Sequence, residues 1–230
     1  MRGRLDVCVL AIALVASACS SHARPPPGSE PATPAVSADV LPNTNPEGKA
    51  YPSNVGVTPR RGDQAGKAIP NLLFAGFPNS ITTSGLQTIS LANFFDPTGK
   101  TYKVIHLSAA AVWCGDCLFE TDEAVRLATD LAAKGVVFVQ VLVEGAATGQ
   151  AATTNDLEMW IQSHKTSFTT LLDPNLKKLG ILTDGQEYPW NANIDARTME
   201  ILSAGVGALP DIAKDVTDWV EWVNAHPVTP

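Results

Sequence analysis

Between Ser20 and about Asn54 the chain shows no apolar periodicity. After about Tyr51, and clearly by Ile69, hydrophobic positions fall into structural periods. Leu72-Leu73-Phe74 is a short apolar run, and Thr88-Ile89-Ser90-Leu91 alternates as a half-buried strand does. Asp96-Pro97-Thr98-Gly99-Lys100 is a turn. Tyr102 to Ala111 is almost continuously apolar and predicts a strand buried on both faces. A helix follows over about Gly115–Lys134, with Cys117, Thr121, Ala124, Ala128 and Leu131 joined by Leu118, Val125 and Ala132 in one broad stripe, and Gly135 ends it. Val136–Val143 predicts a second buried strand. Thr153, Thr154 and Asn155 offer caps for a helix reaching about Lys165, with Asp156 and Glu158 in its first turn. Phe168–Leu172 reads as a short strand, and Trp190–Ile194 with Met199–Ser203 as a hairpin around Asp195-Ala196-Arg197-Thr198. Pro210 is expected to open a last helix, with Ile212, Val216, Trp219, Val220 and Val223 on one face. Strands alternating with helices, then a hairpin and a helix, predict an α/β fold with a central mixed β-sheet flanked by helices.

The first residues follow another pattern. Arg2 and Arg4 precede an apolar run from Val7 to about Val15, too short for a bilayer span, which needs about 20 residues. Small residues Ala16-Ser17-Ala18 follow, so residues 1–18 read as a secretory signal peptide. Ala-Ser-Ala-Cys resembles a bacterial lipobox, although Ala16 stands where Leu is usual. That resemblance implies that Cys19 carries a lipid. Ser20 after it, in place of Asp, implies sorting to the outer of two membranes. Residues 19–54 are rich in Pro, Ser, Ala, Thr and Asn and cannot bury enough surface to offset ordering entropy. They are expected to form a disordered, Pro-rich tether. Its fully extended reach is roughly 100 Å at about 3.1 Å per residue. The folded domain is then 55–230.

Composition refines this picture. The 230 residues carry a net charge of −7, which argues against a nucleic-acid partner. Residues 1–69 hold seven Lys and Arg against five Asp and Glu, leaving nine against eighteen beyond, so the acidity belongs to the domain. Four cysteines are too few for a disulfide scaffold of this size. Cys8 is expected to leave with the signal peptide and Cys19 to be capped. Cys114 and Cys117 then remain as the only free thiols.

Those two stand in Trp113-Cys114-Gly115-Asp116-Cys117, between the first buried strand and its helix. Two cysteines three apart in a first helical turn can bring their sulfurs within bonding distance. The pair can then cycle between dithiol and disulfide. Cys114, at the helix N-terminus, sits where free N–H groups favour a thiolate, the attacking species in exchange. Cys117, one turn inside, suits the resolving role. Three readings compete. Half a zinc site lacks a second C-x-x-C or paired His in the domain. A structural disulfide closing so small a loop constrains little chain entropy. A vestigial motif on a binding module is the third.

The motif, with Thr88-Ile89-Ser90-Leu91-Ala92-Asn93-Phe94 before it and Tyr188-Pro189-Trp190-Asn191-Ala192-Asn193-Ile194-Asp195 after it, resembles the TlpA/ResA-type thiol–disulfide oxidoreductases of the thioredoxin superfamily. The resemblance covers roughly residues 60 to 225. It implies a thioredoxin-like fold with an N-terminal extension and no cofactor beyond a redox-active Cys114–Cys117 disulfide. Cys114, Cys117 and Pro189 would be catalytic, Pro189 following a cis peptide bond. Trp113, Gly115, Asp116 and Tyr188 would line the substrate site, the Tyr188 backbone pairing with a substrate strand. Glu120 matches the family's acid three residues after the second cysteine. Partners would be protein thiols or disulfides and a membrane electron donor, on the periplasmic side of a membrane.

The departures matter as well. Gly-Asp replaces the usual Gly-Pro between the cysteines, and Asp122 replaces a helix-kinking Pro, implying a straighter helix. Ser108 stands where thioredoxin has a buried, proton-accepting Asp. Glu144, ending the second buried strand at the same sheet edge, and Glu120 are the two replacements considered for that role. His164 and His106 read as satisfied core-edge and core histidines, Phe119 as packed beneath residues 60–75, and Asp195 as turn chemistry. A peroxiredoxin is an alternative on the same fold. Ala111 and Leu107 occupy the places of its Thr and Pro, which argues against it. A non-catalytic binding or copper-delivery lipoprotein is another, and the two-residue Cys spacing argues against copper. A carboxylate beside Cys114 disfavours its thiolate. Thiolate absorbance, titrated in the reduced wild-type chain and in Asp116→Pro, is therefore expected to give the lower midpoint in the variant; an equal or higher midpoint rejects the effect.

Overall fold

A computed structural model describes residues 44–52 and 65–228. The signal peptide, Cys19 and most of the tether lie outside the described residues. Among the described residues no helix is long and apolar enough to cross a membrane.

Seven strands form one mixed sheet: β1 (Leu73–Phe77), β2 (Gln87–Ser90), β3 (Val104–Ala111), β4 (Val136–Glu144), β5 (Thr169–Leu172), β6 (Trp190–Asp195) and β7 (Glu200–Val206). The spatial order is β2-β1-β5-β4-β3-β6-β7. β3, β4 and β5 run parallel, and the remaining neighbours pair antiparallel. Helices α1 (Gly115–Ala132) and α2 (Thr154–His164) are the crossovers that parallel pairing demands, and α3 (Ile212–Ala225) closes the chain.

β3 is the centre of this arrangement. All eight of its residues are buried, as its unbroken apolar run predicts. Val104 packs in a cluster with Leu127 and Leu131 of α1 and Val216 and Val220 of α3. Ile105, Leu107 and Ala109 point to the opposite face. They join a larger cluster with Ile69, Leu72, Leu91, Phe94 and Phe95. Each such aliphatic side chain contributes about 1.5–3 kcal/mol on burial. Gln140 of β4 ties the crossovers together: its Nε2 donates to Thr121 Oγ1 of α1 (2.8 Å), and its Oε1 accepts from Trp160 Nε1 of α2 (2.8 Å). Thr121 in turn donates to the Cys117 carbonyl (2.7 Å).

Helix ends follow local chemistry. Thr153 and Asp156 form a reciprocal capping box at α2. Gly135, at φ +90°, turns the chain after α1 where a side chain would strain and would meet Lys103. Asp211, and not Pro210, starts α3: its carboxylate accepts from Lys214 N (2.8 Å). α1 is an unbroken 18-residue helix, and Asp122 pairs with His164 Nδ1 of α2 (2.6 Å).

Three expectations need correction. The stripe on α1 is rotated: Glu120 and Leu127 are buried, while Leu118 and Ala132 are exposed. Phe119 is 63% exposed, against the expectation that it lies packed beneath another segment. The boundary at residue 54 also moves, because residues 44–52 pack onto the domain. Tyr51 is buried against Phe95 and donates through its hydroxyl to Ile69 O (2.8 Å). Asn45 is buried and donates to Phe95 O (3.1 Å). Two side chains with distant partners outweigh a local composition that reads as tether. Tyr51→Ala is expected to cost about 3–5 kcal/mol and Tyr51→Phe about 1 kcal/mol in urea unfolding. Wild-type stability in Tyr51→Ala would place residues 44–52 outside the cooperative unit.

Candidate active site

The parallel strands β3 and β4 end together, with Ala111 paired to Glu144 and a register shift just before. Val112 N donates to Glu144 O (3.0 Å), and Cys114 N to Ala111 O (3.1 Å), so the turn out of β3 is held by backbone bonds. Cys114 caps α1 with an extended backbone, and its Sγ accepts from Cys117 N (3.1 Å). An acceptor at this place gains from the unpaired N–H groups and the dipole of the helix. Cys114 and Cys117 form a disulfide across a Cα–Cα distance of 5.2 Å. Both are buried, Cys114 at 4% and Cys117 at 1% exposure. Gly115 and Asp116 between them are exposed.

Around the disulfide the structure gathers residues from three other segments. The peptide bond Tyr188–Pro189 is cis. Trp190, next along, pairs with Ala109, which brings Pro189 to the β3 edge that carries the cysteines. The Tyr188 ring meets Trp113 edge to face at 6.1 Å. Burial, then the charges of Glu144, Asp173 and Asp184, push the Tyr188 hydroxyl up to about 12. Trp113 is 39% exposed, and its Nε1 donates to Glu144 Oε2 (2.7 Å). The same oxygen accepts from Gly149 N (2.9 Å). Glu144 therefore reaches the motif edge as its strand position predicts, and there it holds the Trp113 ring.

Glu120 is placed differently. It lies one turn beyond Cys117 on α1 and is buried at 3% exposure. Its Oε2 accepts from Asn191 Nδ2 (3.1 Å) and Leu209 N (3.0 Å). Burial pushes the carboxyl up to about 7 against the pull of these two donors, and Asp116 adds to the rise. Asn191 is the cross-strand partner of Ser108. The Glu120 carboxylate thus comes through Asn191 to the strand pair at which Ser108 stands. The sequence reading did not single out Asn191. Its signal was alternation: Asn191 and Asn193 sit two apart on a strand whose other residues are apolar or turn-forming, so both amides face one side. His106 Nδ1 meets Asn193 Oδ1 (2.9 Å), and burial lowers the imidazole's pKa. Asp195 binds the Arg197 guanidinium and backbone N–H, as turn chemistry requires.

No protein-family model matches this sequence, and no curated protein matches it. The fold does match solved structures. One is described as a thiol:disulfide interchange protein DsbE from Chlorobium tepidum, with 22% identity, 70% of this chain and 96% of that chain covered, and a TM-score of 0.52. Another is a secreted thiol-disulfide isomerase from Corynebacterium glutamicum, with 16% identity, 69% and 86% covered, and a TM-score of 0.53. A third is the thioredoxin domain of a thiol-disulfide oxidoreductase from Bacteroides vulgatus, with 16% identity, 68% and 97% covered, and a TM-score of 0.52. The fold is thioredoxin-like, and its α1 N-terminus carries a close cysteine pair.

A buried carboxyl at about 7 has a sign in the pH dependence of stability. Between the ordinary value of 4.5 and about 7, the folded chain holds a proton that the unfolded chain has released. Stability therefore falls as pH rises through this window. His106, lowered by burial, acts with the opposite sign and is common to wild type and variant. Subtracting the urea-unfolding profile of Glu120→Gln from that of the wild type is expected to leave a decline on the order of 3 kcal/mol across the window. A flat difference refutes the assignment.

Proposed function

We propose that this chain is an extracytoplasmic, membrane-anchored thiol–disulfide oxidoreductase exchanging disulfides with protein partners. The observation that carries the reading is the Cys114–Cys117 disulfide at the N-terminus of α1, on a thioredoxin-like fold. The solved structures named above support it. The apolar run at residues 7–15 and the cysteine after Ala18 support export and a lipid anchor at Cys19.

In the reduced chain the Cys114 thiolate attacks one sulfur of a partner disulfide. A Cys114–partner bond forms, the partner's sulfur–sulfur bond breaks, and its other sulfur leaves as a thiolate that takes a proton. Cys117 then gives its proton to a base and attacks Cys114 Sγ, so that the internal disulfide forms and the second partner sulfur leaves. Two chain thiols are oxidised and one partner disulfide is reduced. Running the steps backwards oxidises a partner dithiol. The helix N-terminus favours the attacking thiolate. Glu120, buried one turn past Cys117, is the base for the second thiol. Its value near 7 lets it both accept and return a proton near neutrality. Glu144 is the positioning residue for Trp113, whose exposed ring borders the disulfide. Pro189 removes a backbone donor beside Cys114 and leaves the Tyr188 backbone to pair with an incoming strand.

Insulin reduction with dithiothreitol is expected to proceed with the wild type and to fall to background in Cys114→Ser. Cys117→Ala is expected to retain partners as mixed disulfides that dithiothreitol releases. A wild type without activity, or one whose activity survives in Cys114→Ser, rejects the reading.

A further inference from the structure

Next to the groups that bond Glu120 lies a chamber of about 160 Å³ between the β6–β7 pair and the start of α3. It is lined by Asn191, Asn193, Ser203, Gly205, Leu209 and Asp215. Two of these, Asn191 and Leu209, supply both hydrogen bonds that Glu120 receives. Asn193 fills its own capacity: Nδ2 donates to Asp215 Oδ2 (2.6 Å) and Ser203 Oγ (3.0 Å), and Oδ1 accepts from His106 Nδ1. That pattern fixes the imidazole as the tautomer protonated at Nδ1.

Asn191 does not fill its own. Its Nδ2 faces two acceptors, Glu120 Oε2 and Gly207 O (3.3 Å), so the amide cannot turn over without setting oxygen against oxygen. Its Oδ1 is left as the one buried side-chain atom among the described residues that lacks a hydrogen-bond partner. Asn191 is 4% exposed, and an orphan acceptor so buried destabilises the fold unless water reaches it. Asn191, Asn193, Ser203 and Asp215 bring polar groups into an otherwise apolar lining, and the volume has room for water. Its mouth is at β7, where Gly205, directly opposite Asn191 in the sheet, is exposed and has open space over its α-carbon.

We propose that this chamber is hydrated and that its water, bonded to the Asn191 amide, sets the proton affinity of Glu120, with Asn191 as the positioning residue between them. Asn191 Nδ2 holds the carboxylate, and Oδ1 accepts a hydrogen bond from chamber water. The groups that face Glu120 are Asp116 and Cys117 on its own helix, Asp215 from α3 across the chamber, and His106 from β3 behind Asn193. The functional part of this inference rests on Glu120 serving as the base for Cys117.

The test follows the Glu120 carboxyl by infrared difference titration in the oxidised full chain, where the thiols do not titrate. The band is assigned by its loss in Glu120→Gln. Asn191→Leu, which removes the donor and the orphan acceptor, is expected to raise the midpoint by about one to two pH units. Gly205→Leu, which plugs the mouth and leaves in place both groups that bond Glu120, is expected to raise it as well, whereas Gly205→Ser leaves it in place. A wild-type midpoint in Gly205→Leu overturns the proposal, because Asn191 then acts only as a local donor. So does a crystal structure of the wild type with no water bonded to Asn191 Oδ1, a measurement that needs no variant to fold. Disulfide exchange by Glu120→Gln at the wild-type rate and pH dependence instead removes the base assignment, and with it the functional part, whatever the midpoints do.

Discussion

A strand buried on both faces has no water to satisfy its backbone, so every N–H and C=O along it must find a partner in the sheet. β3 meets that demand by pairing with β4 along one edge and β6 along the other. The two ladders leave its C-terminal end no freedom of position. That end is where the chain turns into α1, and the same two neighbours carry what surrounds the cysteines: β4 ends in Glu144, and β6 begins just after Pro189. The geometry of the site is thus the geometry of three strand ends. The exposed Gly115 and Asp116 lie at the surface of a part that is otherwise held.

A second constraint runs through the helix. α1 buries a carboxylate one turn behind the disulfide, in a place where apolar packing would stabilise the fold more. Burial of such a group is expensive unless its lone pairs are met, and two donors from separate segments meet one of its oxygens. The polar chain Trp160–Gln140–Thr121–Cys117 carbonyl reaches the same helix from the other crossover. Core amides on β4 and β6 therefore do for α1 what apolar contacts do elsewhere. They also give it one allowed rotation, because a turned helix would leave several of them unpaired at once.

The features that sequence reveals are those with a local cause. β3 and β4 were legible from continuous apolar runs, α2 from Thr153 and Asp156, and the cysteine motif from its spacing. Pro189 was legible only through resemblance, since nothing in a single proline says cis. The α1 stripe through Leu118 and Ala132 is turned in the fold, because Glu120, an acid that no hydropathy pattern would put inside, takes a buried place. Tyr51 was assigned to the tether by its neighbours' composition, whereas its place is set by Ile69 and Phe95. Glu144 was located correctly from strand parity, but its bond to the Trp113 ring depends on side chains that meet only in three dimensions.

Residues 44–52 give the molecule a mechanical polarity. They grip Phe95 and Ile69, and the turn after Phe95 binds the start of β3: Asp96 N donates to Ala196 O, and Ala196 N to Lys103 O. The disulfide sits beyond the other end of that strand, roughly 25 Å away for eight residues at about 3.3 Å each. A pull on Thr44 therefore loads the Asn45 and Tyr51 bonds first and reaches the cysteines only through the length of the sheet. A load at Thr44 and a load at the disulfide therefore act on opposite ends of one stiff sheet, and strain at the heel of the domain is spent before it reaches the cysteines.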